Sequence, residues 1–240
     1  MICGLKNYKC VIYMKYYIVH YSKNTERRVE MEKQLESIGA TDVEWITEYD
    51  KEDEFISKIK DKTGTPLRPA EISCSVKHYE AMRRMVKDNI DEAIILEDDV
   101  IFHPEFKGAK TYHPCGFLRL GLGVGVLEQN KPPPSTKIYI SANPGGSEAQ
   151  WVSLPFATAA IQNINFDYSI DHVHYALLHS FTGEKLRCMN ICYQTSLMSS
   201  SLDEMRKALD WDAYKEFCMK FRSLKRYTWD NLVTLCDASS

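Results

Sequence analysis

No stretch of this 240-residue chain is as long as a secretory h-region or a membrane span. Lys6, Lys9 and Lys15 interrupt every apolar run near the start. The expectation is therefore a cytoplasmic protein without a transmembrane segment, or one held peripherally at a membrane by an amphipathic helix. Met14 is an alternative start, because the patterned part of the chain begins just after it. An excess of either charge is also missing. Thirty Lys and Arg face 33 Asp and Glu, a formal net charge of -3 at pH 7, so nothing draws the whole chain to nucleic acid or acidic lipid. The eight cysteines form no C-x-x-C pair. Cys188 and Cys192 lie four apart with no His or Cys pair at zinc-finger spacing. A chain of this length needs no covalent staples, so the cysteines read as reduced, small apolar residues. Neither G-x-x-x-x-G-K-[ST] nor H-x-x-x-H-D occurs. The run Leu120 to Gly125 contains G-x-G but lacks the glycine that would open a dinucleotide-binding helix. There is no internal repeat.

What remains is material for one substantial α/β domain: 44% hydrophobic and 26% charged residues. Residues 16–21 are β-branched and aromatic and read as a buried first strand. Ser22 to Thr25 supplies turn and capping residues. Glu26 to Ile38 follows as a helix with Val29, Met31, Leu35 and Ile38 in a stripe, ended by Gly39. A second strand is expected over 42–47 and a second helix over 71–89. Residues 50–70, polar and carrying Gly64, Pro66 and Pro69, read as a mobile excursion. Ala93 to Leu96 is a continuous apolar run of the kind found in central strands of parallel sheets. This order is that of a doubly wound sheet, which binds ligands beyond the carboxyl ends of its strands. Further on, a strand is expected over 138–141 and helices over 156–165 and 170–179. A capping box at Ser201 to Glu204 opens a C-terminal helix whose apolar stripe continues through Tyr214, Phe217, Phe221 and Leu224. The expected division is an N-terminal extension over 1–15, the main domain over 16–202 and a helical segment over 203–240 packed on it.

Glu97-Asp98-Asp99 follows the apolar run directly. Three adjacent carboxylates repel one another and resist desolvation, and a divalent cation relieves both costs. Oxygen ligands suit Mn2+ or Mg2+, which commonly share coordination with substrate phosphates. Alternation along an extended chain would put Glu97 and Asp99 on one side and Asp98 on the other. Asp99 is then the expected direct metal ligand and Glu97 a second or water-mediated one. Asp98 holds the loop or meets the sugar. The competing reading is an exposed acidic turn.

Four segments, in order, carry a resemblance. Tyr17 to Arg28 is similar to an opening strand followed by an N-L-x-R-x-x-x-R-R-type turn. Glu71 to His78 resembles E-I-G-C-x-x-S-H, and Ile94 to Val100 resembles I-L-E-D-D-V. Tyr193 to Ser196 resembles a late Q-x-S element. Together they resemble glycosyltransferase family 25, which includes bacterial lipo-oligosaccharide and collagen galactosyltransferases. The resemblance covers roughly residues 16–106 and, more thinly, 150–202. Ser73 stands where the family usually has Gly and Lys77 where it usually has Ser, and 107–155 matches poorly.

That resemblance implies a GT-A-type nucleotide-sugar-binding fold with a mostly parallel central sheet. It implies inverting, metal-dependent transfer of a hexose, galactose favoured, from a UDP-sugar to a hydroxyl of a glycan, lipid-linked glycan or glycoprotein, as in lipopolysaccharide biosynthesis. Arg27 and Arg28, near a helix start, are candidates for the donor diphosphate or nucleotide, with His78 and Asp98 beside the donor. An acid must take the acceptor's proton. Asp171 aligns with an acidic position of the family, with Asp167 as competitor. Either Asp is equally an N-cap at a helix start. The other outcome implied by the departures is a catalytically degenerate domain that binds a glycan or scaffolds a partner.

Overall fold

The protein is described here from a computed structural model, which describes residues 14–103, 106, 116–121, 135–140, 146–183, 185–194 and 211–238. Strands β1 (Lys15–Val19), β2 (Asp42–Ile46) and β3 (Glu92–Glu97) lie in the order β2–β1–β3 and pair in parallel. Helix α1 (Thr25–Ser37) connects β1 to β2, and α3 (Pro69–Lys87) leads into β3. Residue for residue, Tyr17 pairs with Glu44 on one side and Ile95 on the other. The carboxyl ends of β1 and β3 are thereby level, with Val19 opposite Glu97.

Beyond β3 the sheet continues through β7 (Ala149–Ser153), β5 (Phe117–Gly121), β8 (Arg187–Gln194) and β4 (Val100–Phe102), while β6 (Ser135–Ile140) pairs with β8. The parallel pairing expected from the sequence is carried by β2–β1–β3 and by β5 against β8. The β3–β7, β5–β7, β4–β8 and β6–β8 pairs are antiparallel.

Both faces of the sheet are covered, which is why its central strands are apolar without alternation. Ile18, Ile94 and Leu96 point into one core with Met31 and Leu35 of α1. Tyr17, Val19, Ala93 and Ile95 point into the other, beneath α3, α4 (Leu154–Ile161) and α5 (Ile170–Leu177). A π-helical turn, Leu178–Thr182, extends α5. Helices Trp211–Lys220 and Trp229–Asp237 join that same core through Tyr214, Phe217, Phe221, Trp229 and Leu232. The N-terminal extension up to residue 13, the capping box at 201–204 and the glycine-rich run beyond Gly121 lie outside the described residues.

Residues 50–70, read from the sequence as a mobile excursion, are in good part helical. They contain α2 (Glu54–Thr63), with Ile56 and Ile59 fully buried and Gly64 in the left-handed conformation at its end (φ 68°). The apolar spacing of Phe55, Ile56 and Ile59 and a glycine stop outweigh the polar average of the segment.

Candidate active site

The site grows from the level ends of β1 and β3. His20, the residue after β1, is 1% exposed and donates from Nδ1 to Asp98 Oδ2 at 2.7 Å. The Tyr21 backbone N–H donates to the same oxygen at 3.3 Å. Arg27, in the first turn of α1, donates from Nη1 to Asp98 Oδ1 at 3.0 Å and lies 3.4 Å from Asp99 Oδ2. Burial alone would push the Asp98 carboxyl up, but His20 and Arg27 hold it below its ordinary value. Asp98 therefore stands ionised and engaged at both oxygens.

The chain turns at Asp98 and Asp99 between β3 and β4, so the alternation of an extended strand does not apply there. The turn brings Asp98 and Asp99 to a single guanidinium, whereas Glu97, still in β3, faces α3. Glu97 Oε1 accepts from Ser147 Oγ and lies 3.5 Å from His78 Nε2 and 3.7 Å from Cys74 Sγ. Cys74 and His78 are one turn apart on α3. Burial, then the charges of Glu97, Asp171 and Asp99, push the Cys74 thiol well above its usual value. Glu97, Asp99 and Asp171, three of the acids named from the sequence, thus act on one thiol.

Lys77 supplies the opposite wall. Its ammonium, 2% exposed, donates to the His20 carbonyl and, at 2.5 Å, to Asp50 Oδ1. Asp50 also accepts from the Ser22 hydroxyl, and its carboxyl is held down by Lys77 and Ser22 against the raising effect of burial. Ser73 Oγ donates to the Tyr49 carbonyl at 2.6 Å. Both departures from the family pattern are accordingly committed to tying α3 to the segment after β2. Between these walls is a cleft of about 270 Å³ lined by His20, Tyr21, Arg27, Lys51, Cys74, Lys77, Glu97 and Asp98, among others.

Arg28 is not among the residues lining that cleft. Its guanidinium stacks over Trp45 at 4.5 Å and pairs with Glu32 at 3.1 Å. Consecutive residues on a helix leave it about 100° apart, and here Arg27 turns to Asp98 while Arg28 turns to Trp45 and Glu32. His78 is fully buried behind Glu97, off the open surface of the cleft.

Asp171 lies in the first turn of α5. Its carboxylate accepts from the Gly146 backbone N–H at 2.7 Å, Ser169 Oγ at 2.6 Å and His172 Nδ1 at 3.0 Å. Burial works against its charge, but His172 and these donors outweigh that and hold it far below the usual carboxylate range. The His172 imidazole is correspondingly raised, Asp171 overcoming the lowering effect of burial. Asp167 accepts from Asn165 Nδ2 at 2.9 Å and lines a separate small recess with Thr65 and Tyr227. Ser169, not Asp171, is the N-cap residue of α5.

His20 did not stand out in the sequence, and Cys74 and Lys77 appeared there only as members of the Glu71 to His78 segment. The i, i+4 spacing of Cys74 and His78 in a helical pattern was the available signal for one of them. No described helix is long and apolar enough to cross a membrane.

Comparison with known proteins bears on this part of the chain. Residues 14–116 match the family described as "Glycosyltransferase family 25 (LPS biosynthesis protein)". A "Glycosyltransferase 25 family member" from Anopheles gambiae is 31% identical over 102 residues, covering 38% of this chain and 17% of that protein. One of the same description from Aedes aegypti is 29% identical over 103 residues, with the same coverage of 38% and 17%. The chain thus matches only about a sixth of the length of these curated relatives. Among solved structures, the "crystal structure of a glycosyltransferase involved in the glycosylation of the major capsid of PBCV-1" has a TM-score of 0.34 and 10% identity, over 60% of this chain and 62% of that one. Residues 14–116, which hold His20, Arg27, Cys74, Lys77 and Glu97 to Asp99, are thus the part of the chain that is similar to glycosyltransferase family 25.

Proposed function

We propose that this chain transfers a hexose, galactose favoured, from a UDP-sugar to a hydroxyl of a glycan, lipid-linked glycan or glycoprotein acceptor, with inversion at the anomeric carbon. One observation carries the reading. The level ends of parallel β1 and β3 form a cleft in which Arg27, Lys51 and Lys77 sit beside Glu97 and Asp98. This is where an open α/β sheet binds its ligand, and it lies within the segment matched to the family. Arg27 is 40% exposed at its side chain and is the cation best placed to meet a diphosphate.

The family resemblance implies a divalent cation, Mn2+ or Mg2+. Glu97, on the cleft wall, and Asp99 in the following turn offer the oxygen ligands. Asp98 is committed to His20 and Arg27. When bound, such a cation neutralises charge on the departing diphosphate. His20, Tyr21 and Arg27 meanwhile hold the turn that presents the acids.

Asp171 is assigned the acceptor's proton. It stands ionised, the state a base requires, but a carboxylate with three donors is a weak base. His172, bonded to both Asp171 and Ser169, is the neighbour able to share that proton.

A second reading has one observation in its favour. The Lys77–Asp50 pair fills a family position that is usually a serine, which fits a domain that binds a glycan or partner without transferring sugar. One experiment separates the two. A panel of nucleotide sugars is incubated with the protein and Mn2+, and nucleotide release is measured with and without chelator. Release that chelator abolishes and Mn2+ restores is expected. Full turnover in excess chelator would sink the metal assignment. No release from any donor, together with glycan binding, would establish the second reading.

A further inference from the structure

Cys74 Sγ, His78 Nε2 and Glu97 Oε1 all lie within 4.8 Å of one another. The measured edges of this triangle are 3.7 Å from sulfur to oxygen and 3.5 Å from nitrogen to oxygen. A tetrahedral zinc ion with bonds of about 2.3 Å to sulfur and about 2.0–2.1 Å to nitrogen and oxygen separates its ligand atoms by roughly 3.3–3.6 Å. The two edges are within about 0.2 Å of those spacings before any side chain moves.

A second observation points the same way. His78 is 0% exposed, and among the described residues neither ring nitrogen has a hydrogen-bond partner. Buried polar atoms are nearly always bonded. An imidazole aimed at a carboxylate and a thiol, without a hydrogen bond, is arranged as a metal ligand is. Ser147 donates to the Glu97 oxygen concerned, an outer contact of the kind that orients ligating carboxylates.

The donor set also selects the ion. Mg2+ and Mn2+ favour all-oxygen surroundings, whereas thiolate with imidazole favours zinc-class ions. We propose that Cys74, His78 and Glu97 bind one zinc-class divalent cation, Zn2+ or Co2+, in the wall of the cleft. Three protein ligands leave a fourth position, and Cys74 and Glu97 both line the cleft, so that position opens toward it. Binding converts the Cys74 thiol to a metal-bound thiolate, and its proton goes to solvent. The site shares Glu97 with the proposed transfer reaction but does not rest on it. Zinc at this site and a diphosphate-bound Mn2+ would compete for that carboxylate.

The test uses the full chain, stripped with chelator and titrated with Co2+ in the absence of any nucleotide sugar. One ion per chain and a near-ultraviolet thiolate-to-cobalt charge-transfer band are expected. Cys74→Ser should abolish the band, and His78→Ala should weaken Co2+ binding by at least about tenfold. Excess Mg2+ should not displace the ion. A wild-type protein without the band would overturn the proposal, and that reading needs no variant to fold. So would a band retained by a folded C74S, which would assign the thiolate to another cysteine, or displacement by equimolar Mg2+. Because no donor is present, failure here and failure of sugar transfer are separate results.

Discussion

Arg27 reaches from the first turn of α1 to Asp98 in the turn after β3, Nη1 to Oδ1 at 3.0 Å, while Arg28 faces away over Trp45. The two arginines should therefore differ in kinetics. Arg27→Ala is expected to raise the donor Michaelis constant roughly fivefold to thirtyfold, on the order of 1–2 kcal/mol for a charge-assisted contact discounted for exposure. Arg28→Ala should stay within about twofold of wild type. Initial rates with varied donor decide it, and equal effects of the two variants would refute the assignment.

Lys77 and Asp50 form a buried pair that neither partner should survive losing alone. Lys77→Met leaves the Asp50 carboxylate with only Ser22, and should cost about 3–5 kcal/mol of stability. Asp50→Asn combined with Lys77→Met should recover most of that loss, since no unpaired charge remains. Denaturant midpoints of the four proteins form the cycle. A double variant as unstable as Lys77→Met would mean that the amine acts chiefly through the His20 carbonyl.

Asp171→Asn separates chemistry from architecture. As the acceptor's base, Asp171 should account for about a hundredfold to ten-thousandfold in turnover with donor affinity unchanged. Its depressed pKa adds a stability signature. A carboxyl held down in the folded state stabilises above its ordinary value of 3.8 and loses that contribution as pH falls through the folded value. The variant should hence be less stable than wild type at pH 7, and the gap should close in strong acid. Near-normal turnover would remove Asp171 from the chemistry.

His174 sets a milder pH limit. It is fully buried among Phe117, Phe156, Tyr79 and His78, and burial, with His78 adding to it, pushes its pKa down to about 3 from 6.5. Below pH 6.5 the unfolded chain binds a proton that the folded one refuses. Stability should fall by up to about 1.4 kcal/mol per pH unit from 6.5 toward 3 on this account. His174→Phe should be flatter over that window in urea titrations at several pH values. An identical slope would show that another group governs acid sensitivity.

The first half of the fold was legible because its signals are local. Continuous apolar runs at β1 and β3 and a glycine stop at Gly39 are each written in a short window, whereas of the α1 stripe Met31 and Leu35 are buried and Val29 is exposed. The acidic tripeptide was legible as a feature, but its geometry was not. Whether Asp98 and Asp99 part or converge depends on Arg27, more than 70 positions earlier. The Cys74–His78–Glu97 grouping needed α3 to be laid against the end of β3, a relation that no spacing within 71–99 encodes. The antiparallel entry of β7 was equally hidden, since its partner β3 lies more than 50 positions upstream. The α2 helix is hidden by the polar average of 50–70 and shows only in the spacing of Phe55, Ile56 and Ile59.

The pairing of β7 with β3 has a consequence for how the chain can be cut. Ile94 meets Trp151 and Leu96 meets Ala149, so the strand carrying Glu97 is closed by residues well beyond the family-matched segment. A fragment ending at residue 116 would leave β3 paired with β1 but bare on its other side, with the backbone N–H and C=O of Ala93 and Ile95 unclaimed. A bare side of that kind templates pairing between copies. The matched segment is therefore not a unit of solubility: an excised version that stops short of Ser153 is expected to assemble with itself before its cleft can be assayed.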